Sequence, residues 1–280
     1  MQTYRELLED ATTTIYDVSD TPRIDAEYLL QHAIGRSMAW LISYGDTTAT
    51  TEDTTAFFKL IAHRAKGKPV AYILGYRDFW TLRLNVNENV LIPRGDTEVL
   101  VEQALKRIDS SKELRLADLG TGSGAIALSL AKERPNCNVL AVDRYSAALN
   151  VARENAKLNC VNNVEFIESN WFDGLAGEDF SLIASNPPYI ESKDPHLTKG
   201  DLRFEPDSAL VSPRHGLGDL TTLIDGAPNF LIPEGWLLLE HGFEQANDVE
   251  RLLVARGFTN IALYSDLNHL PRCTAAQWLK

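Results

Sequence analysis

Four consecutive residues, Asn186-Pro187-Pro188-Tyr189, follow the short apolar run Ile183-Ala184-Ser185 and combine groups that can hold a flat NH2. Two prolines in a row fix the backbone and remove two N–H donors, leaving carbonyl oxygens beside the Asn186 side chain. Asn186 Oδ1 and the Pro187 carbonyl could each accept one N–H of a planar amide or amine. Such a nitrogen is a poor nucleophile because its lone pair is delocalised, and two acceptors would aim it and favour its pyramidalisation as a bond forms. Catalysis would then rest on positioning and electrostatics, without a metal or a strong base. Tyr189 could stack on the flat group and exclude water. Alone, the same four residues would also suit a surface turn.

A second motif lies upstream. Leu116-Ala117-Asp118-Leu119-Gly120-Thr121-Gly122-Ser123-Gly124 places three glycines at every second position, where an apolar strand turns into a helix. Side chains there would keep a ligand away from the backbone. A nicotinamide site has the spacing G-x-G-x-x-G and faces a pyrophosphate. Here the spacing differs and Asp118 precedes it, which suits a ligand bearing an ammonium, as the methionine part of S-adenosylmethionine does. Nineteen residues after Gly124, Asp143 ends the next strand, where a carboxylate can accept hydrogen bonds from both ribose hydroxyls. The competing reading is a turn for chain reversal with Asp143 as a helix cap. Trp171-Phe172, after a further strand, could flank an adenine ring or belong to the core.

The elements that must position these groups alternate. Helices are expected near 97–108, after Gly124, at 146–158 and near 219–228, with strands at 114–119, 139–142, 164–167, 181–185 and 235–240. That alternation is the pattern of a doubly wound α/β sheet, which places ligands at the carboxyl ends of its strands. Before residue 68 the apolar residues Ala26, Leu29, Leu30, Ala33, Phe57, Phe58, Ile61 and Ala62 recur at helical spacing, as in a small helical bundle. Gly67-Lys68-Pro69 breaks that pattern, and Phe79 to Val86 reads as extended chain in a joining hairpin.

The bulk composition narrows the partners. At 280 residues, with 27 Lys and Arg against 39 Asp and Glu, the chain has a net charge of -12 and no broad basic field for nucleic acid. Cys137, Cys160 and Cys273 match neither a disulfide framework nor a zinc spacing, so a reduced cytoplasm is expected. No apolar stretch approaches the roughly 18 residues of a membrane span.

Together these residues resemble the peptide chain release factor glutamine methyltransferases, the PrmC or HemK family. The likeness runs over nearly the whole chain and includes Pro69 to Gly75, Leu91-Ile92-Pro93-Arg94, Asp96-Thr97-Glu98, the Gly120 to Gly124 loop, Asn186 to Tyr189, and Phe204-Glu205-Pro206. It implies a class I S-adenosylmethionine-dependent methyltransferase fold behind a helical bundle. The expected division is a helical substrate-recognition domain at 1–73, a β-hairpin linker at 74–93 and a Rossmann-like domain at 94–280. The resemblance implies that Gly120, Thr121, Gly122, Ser123, Gly124, Asp143, Trp171 and Asn186 bind the cofactor, and that Asn186, Pro187, Pro188 and Tyr189 hold the glutamine of a Gly-Gly-Gln loop. The implied partner is a class I release factor; apart from the resemblance, a monomer is expected, and the acidic charge counts against stable nucleic-acid contact. Gly95 stands where the family usually has a second proline, and the tail Arg272 to Lys280 differs from the usual closing strand, which leaves the last strand open.

Two related chemistries share this tetrapeptide: glutamine methylation on a ribosomal protein, and methylation of a flipped-out adenine amine. Asp96-Thr97-Glu98 looks more like the release factor branch, and the acidic charge counts against nucleic acid. A binding module that keeps the fold without turnover is disfavoured by intact Gly120, Asp143 and Asn186. His196, His215 and His241 sit in no recognisable spacing and are read as structural.

Overall fold

The computed structural model describes residues 2–175 and 179–280. The chain divides into two compact units, Met1–Tyr76 with Pro195–Phe204, and Arg77–Asp194 with Glu205–Lys280. In the first, α1 (Tyr4–Thr14), α2 (Pro22–Ile34), α3 (Met38–Tyr44), α4 (Thr51–Arg64) and α5 (Val70–Leu74) enclose Leu7, Ile15, Leu29, Leu30, Phe57 and Ile61. Helix starts are set locally. Thr3 and Glu6 form a reciprocal capping box at α1, and Thr50 accepts the Asp53 N–H at α4, which satisfies donors that a first turn leaves free. Arg64 is 4% exposed and donates to Asp25 at 2.7 Å and to Asp201 at 2.9 Å. Those carboxylates compensate its burial and hold segment 195–204 to the helices, an association between distant parts of the chain that the linear division at 73 did not contain.

Next along the chain come the hairpin strands β1 (Tyr76–Phe79) and β2 (Leu82–Asn85), then α6 (Thr97–Leu105). The extended stretch read from Phe79 to Val86 is broken at Trp80, whose φ of 55° turns the chain. The alternating region follows as β3 (Arg115–Leu119), α7 (Ala125–Glu133), β4 (Asn138–Asp143), α8 (Ser146–Leu158), β5 (Val164–Glu168) and β6 (Phe180–Ser185). It continues as α9 (Asp207–Leu210), α10 (Gly218–Gly226), β7 (Leu231–Glu240), α11 (Ala246–Arg256), β8 (Thr259–Ser265) and β9 (Pro271–Trp278).

Strands β3 to β9 form one sheet in the order β5-β4-β3-β6-β7-β9-β8. The first five are parallel, and β9 runs antiparallel to both neighbours. Both faces are covered, so successive strand residues enter different cores. Leu116 joins Leu100 and Leu128 on one side, while Ala117 and Leu119 join Leu220, Leu223 and Val249 on the other. That explains why these strands read as continuous apolar runs. The tail that departs from the family pattern is an interior strand, paired with β7 through Gly235 to Glu240 and with β8 through Thr259 to Ser265.

From β3 the strand order runs one way through β4 and the other way through β6. The carboxyl ends of all three therefore meet at a topological switch point, where an open sheet binds its ligand. Asn155 of α8 is fully buried and accepts the Asn85 N–H at 2.7 Å while donating to the Asn85 and Ser123 carbonyls at 3.0 and 2.9 Å. One side chain thus fixes β2 against the glycine loop.

Candidate active site

β3 ends in the glycine loop because Asp118, fully buried, accepts from Thr121 Oγ1 at 2.7 Å and from Ala127 N at 3.0 Å. Burial, opposed by those two bonds, pushes its pKa up to about 7. Asp118 is absent from the wall of the cavity. The residue read as the partner of a ligand ammonium instead braces the loop and the first turn of α7. The N–H groups of Gly120 and Thr121 both reach the Val142 carbonyl at 2.8 Å, so the loop is stitched to β4. Gly122, at φ 54°, has open space where a Cβ would stand, whereas a Cβ on Gly124 would lie 3.0 Å from Leu128.

A cavity of about 420 Å³ opens over these strand ends, within the size range of small-molecule sites. Its wall includes Gly120, Thr121, Gly122, Ser123, Asp143, Trp171, Asn186 and Pro188, but not Gly124, Pro187 or Tyr189. Asp143 accepts the Gly122 N–H at 2.9 Å and the Tyr145 N–H at 3.0 Å, one on each oxygen. Each oxygen keeps lone-pair capacity for a further donor. Asp143 is not the cap of α8, since the residue at that position is Tyr145. Burial raises its pKa against the pull of those backbone bonds.

The two adjacent aromatics part company. Trp171, turned by a φ of 51°, lies close over Gly120, and its Nε1 donates to Asp219 at 3.2 Å. Phe172 stacks on Phe230 at 4.8 Å, and both Trp171 and Phe172 pack against the same core cluster. Asp219, also in the cavity wall, was not read from sequence.

Asn186 leaves β6 directly into the cavity, and its Nδ2 donates to Thr97 Oγ1 at 3.2 Å. That bond fixes the amide so that Oδ1, the acceptor end, is the one left for a ligand. Ser185, the preceding residue, donates its hydroxyl to the Leu119 carbonyl at 2.5 Å, which locks the tetrapeptide's strand to the strand that carries the glycine loop. Pro187 is buried and Pro188 contributes to the wall. Tyr189 packs against the second core, with its carbonyl held by Gln245 Nε2 at 3.0 Å and its hydroxyl donating to Glu240 at 3.3 Å. Burial, and then the Glu240 charge, raises the phenol's pKa above its ordinary value. All peptide bonds in the tetrapeptide are trans.

Asp96-Thr97-Glu98 works residue by residue around this corner. Asp96 faces Arg272 at 3.4 Å, Thr97 holds Asn186, and Glu98 accepts the Trp80 N–H at 2.9 Å. Glu205, whose side chain is wholly buried, accepts from the Ile92 N–H at 3.1 Å and pairs with Arg94, so it holds the stretch from which Leu91, Pro93 and Arg94 join the cavity wall. Gly95 has open space beside it. His241 is buried between the Gly242 carbonyl and the Thr274 hydroxyl, and burial lowers its pKa. His215 is exposed and pairs with Glu191. Neither lines the cavity. Among the described residues no group of three or more His, Cys, Asp or Glu side chains is placed to hold a metal ion, and no helix is long and apolar enough to cross a membrane.

Comparison with known proteins agrees with this geometry. Residues 6–75 match the PrmC N-terminal domain and residues 95–201 the methyltransferase small domain. A release factor glutamine methyltransferase of Xylella fastidiosa (strain Temecula1) is 52% identical over 91% of this chain and 93% of its own. Those of Salmonella typhimurium and Escherichia coli (strain K12) are 44% and 42% identical over 98% of this chain and 99% of theirs. The chain belongs to the release factor glutamine methyltransferase family. Distant solved structures share the fold, among them a methyltransferase from Pyrococcus furiosus (TM-score 0.54, 16% identity, 78% of this chain and 98% of that one) and the catalytic domain of hMettl16 (0.57, 16%, 79% and 82%). Membership of the release factor glutamine methyltransferases and the class I fold therefore stand as read from the motifs. Thr97, Glu205, Asp219 and Glu240 were missed as parts of the site. The first two were visible only as letters in motifs of the resemblance, and the last two only as the end positions of a helix and a strand read near 219–228 and at 235–240, with no motif marking them as site residues.

Proposed function

We propose that the chain transfers a methyl group from S-adenosylmethionine to the side-chain amide nitrogen of the glutamine in the Gly-Gly-Gln loop of class I release factors. The observation that carries this reading is Asn186 in the wall of the cavity it shares with Gly122 and Asp143, its Nδ2 engaged by Thr97 and its Oδ1 left to accept. When bound, S-adenosylmethionine supplies a sulfonium-activated methyl carbon, so that an N–C bond forms as the S–C bond breaks and the surplus proton leaves the nitrogen to water. Asp143 holds the ribose hydroxyls on the capacity left after its bonds to Gly122 and Tyr145. The bare edge of Gly122, with Gly120, Thr121, Ser123 and Gly124 shaping the turn, admits the methionine part, and Trp171 flanks the base.

Asn186 Oδ1 and the Pro187 carbonyl accept the two hydrogens of the glutamine NH2, which withdraws the nitrogen from conjugation as the bond forms. Pro188 stiffens that corner. Tyr189, anchored by Glu240, stands behind it. The helical unit, which carries none of these groups, recognises the release factor. The protein acts as a cytoplasmic monomer without stable nucleic-acid binding.

Incubation with radiolabelled donor and separate samples of release factor, ribosomal proteins and DNA tests the reading. Label is expected on the release factor glutamine. Label entering DNA or a ribosomal protein but not the release factor would refute it.

A further inference from the structure

We propose that Asp219 is a positioning residue for the methyl donor, acting through Trp171 to hold the indole ring over the glycine loop as the wall against which the base rests. This rests on the reading of Trp171 as the flank of the base given above. The main chain at Trp171 is fixed first. Its φ of 51° is a left-handed conformation that persists only where the surroundings enforce it. The Trp171 carbonyl accepts from Ser169 Oγ at 3.2 Å, and the Ser169 N–H reaches the Asp143 carbonyl at 3.0 Å. Those bonds peg the backbone beside the residue assigned to the ribose, but they leave the two side-chain torsions of Trp171 open.

Packing against the second core and two directed contacts close them. The six-membered ring of the indole lies over Gly120, where a Cβ would stand 3.2 Å from Cζ3 and 3.4 Å from Cη2, so the missing side chain gives the ring its seat. At the five-membered ring, Nε1 donates to Asp219 Oδ1 at 3.2 Å. An indole N–H can only donate, and a carboxylate is among its strongest acceptors. Gly120, Trp171 and Asp219 all line the cavity.

Asp219 is itself held where this bond needs it. It is the second residue of α10, and its N–H reaches Ser212 Oγ at 3.0 Å. Ser212 is 1% exposed, and its own N–H reaches the carbonyl of Ile190, the residue after Tyr189, at 2.9 Å. Ile190 and Val211 form a short parallel bridge. The chain leaving the tetrapeptide thus supports the donor wall, and one frame sets both the base and the accepting corner. An acid in the first turn of a helix also suits the helix dipole. That role needs the charge, whereas the indole needs only an acceptor, so asparagine separates the two.

The test is calorimetric titration of S-adenosylmethionine, without release factor, into wild type and variants. Asp219→Ala should weaken binding roughly fivefold or more, and Asp219→Asn, which keeps an oxygen for the indole, should recover most of that loss. Trp171→Phe, which keeps a ring over Gly120 without the N–H, should lose a similar factor. In the Trp171→Phe background, Asp219→Ala should cost nothing further, because the group it served is gone. Wild-type affinity in Asp219→Ala, no recovery in Asp219→Asn, or losses that multiply in the double variant overturn the inference alone. If Asp219→Ala fails to fold, Trp171→Phe decides the matter, and wild-type affinity there overturns it equally. Wild-type affinity in Trp171→Ala overturns the reading of Trp171 as the flank of the base, and this inference with it.

Discussion

Replacing Gly122 and Gly124 separately by alanine divides ligand approach from chain reversal. Both residues have positive φ, 54° and 85°, so each alanine carries the left-handed penalty of about 1–2 kcal/mol. Beyond that they differ. A Cβ at Gly122 meets nothing within 4 Å, whereas one at Gly124 stands 3.0 Å from Leu128 Cδ1 and 3.3 Å from Ala152 Cβ. Both neighbours are buried, with Ala152 at 0% exposure. Overpacking of that kind adds about 1–3 kcal/mol, so Gly124→Ala should lose roughly 2–5 kcal/mol of stability in total. Gly122→Ala should lose only the first part, a Tm drop of about 2–8 °C. If the space beside Gly122 admits the methyl donor, the new methyl costs about 1–3 kcal/mol there instead, or roughly 5- to 150-fold in Kd. Thermal denaturation paired with calorimetric titration of S-adenosylmethionine reads both quantities. Wild-type donor affinity in Gly122→Ala would refute the close approach and reduce the glycine spacing to a turn.

Asp143→Asn should weaken donor binding by about 10- to 150-fold, because the amide cannot accept from Gly122, Tyr145 and two ribose hydroxyls at once. An unchanged Kd by titration would remove Asp143 from the ribose site. Asp118 is stabilised when protonated, since burial raises its folded-state pKa to about 7. Its contribution is full below about pH 4 and lost as pH rises through about 7. Urea unfolding at about pH 5, 6 and 7 should therefore show wild-type stability falling more steeply with pH than that of Asp118→Asn. Parallel slopes would contradict the buried state of this carboxyl.

The glycine loop and its flanking strands were legible because local chemistry dictates them. Leu116 to Leu119 is apolar on both faces of a parallel strand, and three alternate glycines occupy left-handed positions. The register Asp118 to Ala184 then places the tetrapeptide next to the loop. Other features depend on partners far away in sequence. Trp171 and Phe172 are equivalent as letters, and only the turn at Trp171 sends one ring over Gly120 and the other onto Phe230. Ala275-Ala276 has little strand preference of its own, but β9 is held by ladders on both sides. The Asp118 ammonium role failed for a similar reason, because Thr121 and Ala127 claim one oxygen and burial removes the other from the cavity.

Single-turnover methyl transfer by Asn186→Ala to a Gly-Gly-Gln release factor tests most directly whether the Asn186 oxygen grips the accepting nitrogen. Loss of this acceptor should slow transfer by about a hundredfold or more, while the variant still binds the release factor as the wild type does. Transfer at the wild-type rate would contradict it, since the substrate NH2 would then be held by some other group.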